Sequence, residues 1–236
     1  MRSIVTKACV LAGLGLMMAG PSWAEKTSAP NTLSEKEKQE GWKLLFDGKT
    51  LEGWTGFRAD KPGKGWKVVD GTIARVEKGA GDIMTAEPYA SFELSLDYKI
   101  SPKGNSGLMY HVTKEEATPW RTGPEIQIQD NDGYDPQKAG WLYQLYSSEV
   151  DATKPPGEWN NLRVLITPEK CATYMNGVKY YEYVKGSDDW DQRVAKSKFN
   201  QFPKFGKATS GYICLQDHGN PVEFRNIKIR PISSGK

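Results

Sequence analysis

Ser91-Phe92-Glu93-Leu94-Ser95-Leu96-Asp97-Tyr98-Lys99-Ile100 decides the fold class. Phe92, Leu94, Leu96, Tyr98 and Ile100 alternate with Ser91, Glu93, Ser95, Asp97 and Lys99, a period of two that predicts a half-buried strand. The same grammar extends to both sides. Asp70-Gly71 joins Lys67-Val68-Val69 to Thr72-Ile73-Ala74, and Asn176-Gly177 joins residues 171–175 to 178–183. Both dipeptides supply the positive φ angles of a tight two-residue hairpin. Near the end, Val222 and Phe224 share one parity while Ile227 and Ile229 take the other, which a β-bulge at about Asn226 reconciles. Helical signals are few. Ser34 with Glu37 makes a capping box, predicting a short helix over 34–40 that Gly41 ends. Residues 184–209 lack a period and predict a long excursion with a helical turn near Asp188 to Val194. Many short strands with so little helix predict an all-β sandwich with one or two short helices.

The N-terminus is read apart from this fold. Arg2 and Lys7 precede an apolar run over 8–20 that is too short to span a bilayer, and Ser22 and Ala24 stand at the −3 and −1 positions of a cleavage site. A secretory signal peptide cleaved after Ala24 is expected, removing 24 of 236 residues to leave 212 in an exported, periplasmic or secreted protein. Residues 25–40 then form a leader with the short helix, 41–232 one sandwich domain, and 233–236 a tail. Formal charge is +3, two of it from Arg2 and Lys7, which leaves about +1 on the mature chain. A one-sided basic surface for nucleic acid is not expected, nor is a membrane span. Cys171 and Cys214 remain after cleavage. In an exported chain they allow either a disulfide, if their strands are neighbours, or two separate buried thiols.

Two histidines remain as candidate acids or bases, the residue type whose unperturbed pKa lies nearest neutrality. His111 ends the run Gly104-Asn105-Ser106-Gly107-Leu108-Met109-Tyr110-His111. Alternation puts Leu108, Tyr110 and Val112 on one face of this strand, so His111 is expected on the other with Gly107 and Met109. His218 sits in Leu215-Gln216-Asp217-His218-Gly219. Glu125, Gln127 and Gln129 alternate with Ile126 and Ile128, which suits either a solvent-facing strand or a concave face lined for sugar hydroxyls. Pairing of the His111 and Glu125 strands would bring both residues into one site. Trp120, Trp141, Tyr143 and Tyr146 lie in or beside this stretch, whereas Trp42, Trp54, Trp66 and Trp159 are assigned to packing. Arg121 is a candidate for pairing with a carboxylate or stabilising an enolate. Asp130, Asp132 and Asp135 around Gly133 lack the terminal glutamate of a calcium loop.

Taken in order, several segments resemble one family. Leu45-Phe46-Asp47-Gly48 through Gly53-Trp54, Gly104-Asn105-Ser106-Gly107, Gly123-Pro124-Glu125-Ile126-Gln127 and Gly157-Glu158-Trp159-Asn160 are four of them. Asn176-Gly177, Leu215-Gln216-Asp217-His218-Gly219 and Phe224-Arg225-Asn226-Ile227-Lys228-Ile229 complete the set. Together they resemble the 3-keto-disaccharide hydrolase domain family. The resemblance implies a concanavalin-like jelly roll acting on glycosides oxidised at C3, by elimination followed by hydration or by net hydrolysis. A C3 ketone acidifies the C2 proton, and the enolate then expels the C1 oxygen. On this basis His111 or His218 is expected as base, Glu125 and Gln127 as positioning groups, and Arg121 or a divalent metal ion at the enolate. Asn105, Trp120, Gln127, Asp130, Tyr143 and Gln216 are expected to bind substrate. The residues fix no cofactor, a divalent metal ion being the one candidate, and the expected partner is a carbohydrate substrate, a 3-keto-glycoside. A lectin-like module without chemistry, or a structural domain, fits the same sandwich.

Overall fold

The computed structural model describes residues 29–133 and 136–233; the expected signal peptide lies outside them. A short helix α1 (Glu35–Gln39) precedes thirteen strands. These are β1 (Lys43–Leu44), β2 (Trp54–Gly56), β3 (Trp66–Val69), β4 (Thr72–Arg75), β5 (Ile83–Thr85), β6 (Phe92–Ile100) and β7 (Asn105–Val112). They continue as β8 (Glu125–Gln129), β9 (Asn160–Ile166), β10 (Cys171–Met175), β11 (Val178–Tyr183), β12 (Tyr212–Leu215) and β13 (Val222–Pro231). A second helix, α2 (Asp188–Lys196), lies between β11 and β12. Ser34 and Glu37 form the expected capping box on α1, and Gly41 follows at φ +86°.

The strands make two antiparallel sheets. One runs β11-β10-β9-β6-β13-β4-β3 with β1 paired to the far end of β13; the other runs β2-β5-β12-β7-β8. The two pack face to face as an all-β sandwich. Phe92, Leu94, Leu96, Tyr98 and Ile100 of β6 all fall on the buried inner face, as their alternation predicts. The opposite face of β6 is less open than expected. Glu93 and Ser95 are buried there too, because Arg163 and Arg230 both pair with Glu93 and Asn161 bonds Ser95 and Asp97.

Both hairpin dipeptides take the predicted backbone, with φ +47° and +74° at Asp70-Gly71 and +49° and +84° at Asn176-Gly177. The β13 register shifts between Arg225 and Lys228, with Asn226 at φ +51°, so the bulge falls where the parity change required it. Asn226 suits that left-handed backbone, and its amide donates to Asp97 while its carbonyl accepts from the Asn31 backbone. Cys171 on β10 and Cys214 on β12 lie in different sheets as free buried thiols, which excludes the disulfide alternative. Trp54 and Trp66 are core residues. Trp159 and Trp42 are not: each sits half-buried against cations, Lys99 and Arg225 on Trp159, Lys228 and Arg230 on Trp42. The cationic heads over these rings attract the π faces and shield them in part from water.

Candidate active site on the five-stranded sheet

The outer face of the smaller sheet is built in rows that run across its strands. The pairings Met84↔Cys214, Cys214↔Met109 and Met109↔Glu125 form one row. Two residues along, Gln216 donates its backbone N–H to Gly107, which pairs with Gln127. Beyond that, Asn105 pairs with Gln129. Alternation therefore turns Glu125, Gln127 and Gln129 to one face, and loops cover that face rather than bulk solvent. All three are buried. The free edge of β8 is closed by residues 140–143, where Gly140 N–H donates to Gln127, Trp141 accepts from Gln127 N–H, and Tyr143 N–H donates to Glu125.

Two adjoining depressions of about 240 and 580 Å³ open on this face and share Asn105, Tyr143 and His218. Trp120, Glu125, Gln127, Lys198 and Gln216 complete the smaller one. Glu125 reaches it over Gly107: a Cβ at that glycine would stand 2.2 Å from Glu125 Oε1, so only glycine leaves the carboxyl its place. Gln127 Nε2 donates to Asn105 and to Gln129, at 3.0 and 2.7 Å. The Oε1 atoms of Gln127 and Gln216 are buried and accept no hydrogen bond among the described residues, although buried acceptors are normally paired.

His218 is exposed at the rim shared by both depressions. Its turn is rigid because the Asp217 carboxylate accepts from Arg75 Nε at 2.6 Å, from Gly81 N–H at 2.9 Å and from Gly219 N–H at 3.0 Å. Gly219 takes φ +94°, which reverses the chain immediately after the histidine.

His111 is elsewhere. Between Tyr212 and Cys214 the β7/β12 register shifts, and His111 takes φ +51° at the resulting bulge. The extra residue cancels the alternation: Val112 joins Met109, Met84 and Cys214 on the outer face, while the His111 ring turns in beside Tyr110 and Phe92. The expectation that His111 shares a face with Met109 and a site with Glu125 is thus corrected by one inserted residue. Its Nε2–H donates to Ala90 O at 2.7 Å and its Nδ1 accepts from Lys185 Nζ at 2.9 Å. Burial, then the Lys185 charge, pulls its pKa down to about 4, leaving a neutral ring with both nitrogens engaged.

This burial predicts acid sensitivity. With a folded pKa near 4 against about 6.5 unfolded, the unfolded chain binds more protons between those values, so His111 destabilises the fold as pH falls through that window. The full effect is about 3 kcal/mol. Asp82, raised to about 6 mainly by burial, works in the opposite sense over pH 4–6. The measurement is therefore differential. His111→Asn, a residue that accepts the left-handed backbone, should flatten the fall in denaturation midpoint between pH 7 and 4.5 relative to wild type.

Arg121 also lies away from the cleft lining. It stacks on Phe202 and Trp120 at 5.0 and 5.5 Å and pairs with Glu116 at 3.8 Å. Asp130 borders the larger depression, but its two oxygens accept from Lys103 N–H and Asp132 N–H and clamp the loop. The cation that does face the smaller depression is Lys198, unmarked in sequence because it sits in the aperiodic excursion. That excursion folds through stacked rings: Trp190 on Phe205, Phe205 on Phe199 at 3.9 Å, and Tyr183 on Trp190. Lys198 Nζ is set 4.2 Å above Tyr143 and 5.1 Å from Trp120. Among the described residues, no three His, Cys, Asp or Glu side chains converge as metal ligands, and no helix is long and apolar enough to cross a membrane.

The 3-keto-alpha-glucoside-1,2-lyase-like domain model matches residues 41–230. The chain belongs to that family. The resemblance read from the motifs is borne out, and with it the expectation of an enzyme that breaks glycosidic bonds. Similar to it is a 3-keto-disaccharide hydrolase of Bacteroides thetaiotaomicron, 29% identical and covering 87% of this chain and 83% of that one. Among solved structures, a Parabacteroides distasonis protein assigned as a glycosyl hydrolase superposes with TM-score 0.83 at 39% identity, covering 87% of this chain and 100% of the other. A second protein from that organism, assigned likewise, gives TM-score 0.63 at 29% identity over 81% of this chain and 99% of its own.

Proposed function

We propose that this member of the family cleaves 3-keto-glycosides by removing the C2 proton, expelling the C1 oxygen and then adding water. The observation that carries a sugar-like occupant is the pair of unpartnered Oε1 atoms on Gln127 and Gln216, in a cleft also lined by Asn105, Glu125 and Tyr143. Hydroxyl groups supply the donors those acceptors lack, and burial makes each missing bond costly. His218 at the rim is the base for the C2 proton. Lys198 faces the oxygen that becomes negative as the enolate forms, in place of Arg121, which stacks on Phe202 and Trp120. Glu125, Gln127, Asn105 and Gln216 hold the ring hydroxyls, and Tyr143 with Trp120 offers apolar ring faces. This chemistry needs no pair of carboxylates straddling an oxocarbenium-like centre, the arrangement of ordinary glycosidases. The signal-like N-terminus supports export, to the periplasm or beyond, as the place of action.

The test supplies purified protein with 3-keto-trehalose and a chromogenic 3-keto-β-glucoside, with and without EDTA, and with the unoxidised sugars as controls. Turnover confined to the keto forms is expected, with an enone absorbance preceding the free 3-keto sugar. Saturable binding without turnover would leave a lectin-like module instead.

A further inference from the structure

Asp82 immediately precedes β5. The pairing of Ile83 with Leu215, continued by one residue, sets it opposite Gln216, and alternation turns it to the face that carries Met84 and Cys214. Its Oδ1 accepts from Asp217 N–H at 2.8 Å, which anchors the carboxyl beside Gln216. Its Oδ2 has no hydrogen-bond partner among the described residues. Glu125 approaches from the opposite side, its carboxyl lying over Gly107. Gly107 and Asp82 stand two strand spacings apart with Gln216 between them, about 9–10 Å, which leaves room for one sugar ring. The Cys214 thiol lies between these carboxyls in electrostatic reach of both, and burial followed by Asp82 and Glu125 pushes it well up. The other charges at Asp82 are Asp217 and, paired to it, Arg75.

We propose that Asp82 is the general acid that protonates the departing C1 oxygen, so that the aglycone leaves over the β2–β5 end of the sheet beside Phe57. Phe57 fits that place: its N–H donates to the Asp82 carbonyl at 2.9 Å, and its half-buried ring packs on the Met84, Met109, Val112 and Cys214 cluster. The inference rests on the elimination chemistry proposed above and balances with it. His218 takes the C2 proton, the C–H pair forms the C1–C2 double bond, and the C1–O bond breaks with its electrons on the aglycone oxygen. That oxygen takes the proton from Asp82. In hydration, the Asp82 carboxylate removes a proton from the water that adds at C1, and His218 returns its proton to C2. Both catalysts end as they began. Burial raises the Asp82 carboxyl to about 6, into the range where acid and conjugate base can each serve near neutral pH.

Asp82→Asn retains an oxygen to accept from Asp217 N–H and removes only the proton. It is compared with wild type on a 3-keto methyl glucoside, a poor leaving group, and on a 3-keto 4-nitrophenyl glucoside, whose leaving group needs no acid. A loss of about 10²–10⁴-fold in kcat on the methyl glucoside, with less than about 10-fold on the nitrophenyl one, is expected. The alkaline decline in wild-type methyl glucoside turnover above about pH 6 should vanish in the variant. The ratio of the two rates is independent of the folded fraction, so partial misfolding cannot imitate it. Equal losses on both substrates, or none, would overturn the role of Asp82 while leaving the reaction class standing. Failure of the wild-type protein on both keto substrates would overturn the reaction class, and this inference with it.

Discussion

His218→Ala is expected to lower kcat on a 3-keto-glucoside by about 10²–10⁴-fold, with KM little changed and partial rescue by added imidazole. The histidine stands at the rim of the cleft on a turn held by three hydrogen bonds to the Asp217 carboxylate, so its removal deletes a base without loosening its support. His111→Asn is the matched control. That ring is buried against Phe92 and Tyr110 with both nitrogens engaged, so its loss should change acid stability and leave kcat near the wild-type value. If His218→Ala retained full turnover, the proton would be going elsewhere, and Glu125 over Gly107 would be the next group to remove.

Lys198→Met is expected to lower kcat by about 10²–10³-fold, the usual result of deleting one charge-stabilising donor. Methionine is close to lysine in length but deletes the ammonium that stands over Tyr143 and Trp120, so the loss should appear in kcat more than in KM. Lys198→Arg restores the charge on a longer, planar head and should recover part of the rate. A large rise in KM at unchanged kcat would instead make Lys198 a ground-state sugar contact.

Some of this was legible without coordinates because its causes are local. The β6 alternation, the two hairpin dipeptides, the α1 capping box and the bulge at Asn226 each depend on a few neighbouring residues and the φ angles they tolerate. The polar face of Glu125, Gln127 and Gln129 was legible as a pattern, but its two readings differ only in what covers it. The loops that bring Trp120, Tyr143, Lys198 and His218 around the face decide that, and no periodicity announces them. His111 failed for a sharper reason. A β-bulge inserts one residue into a strand whose faces alternate every residue, so every assignment beyond it reverses. A histidine at φ +51° leaves no mark in the sequence.

Lys198 and Asp82 were not legible in the sequence because each meets its neighbours only by convergence of distant segments. Lys198 reaches the cleft through an aromatic stack formed by Trp190, Phe199 and Phe205, rings separated along the chain but parallel in space. Asp82 acquires its partners from Asp217, 135 residues away. The sandwich class, its tight turns and its family were legible from sequence, since backbone preference and side-chain alternation act over short range. Which histidine faces the cleft, which cation lies beside it and which carboxyl has its pKa raised were settled by tertiary packing. Those properties depend on solvent exclusion and cross-strand register, which exist only once distant segments have packed together.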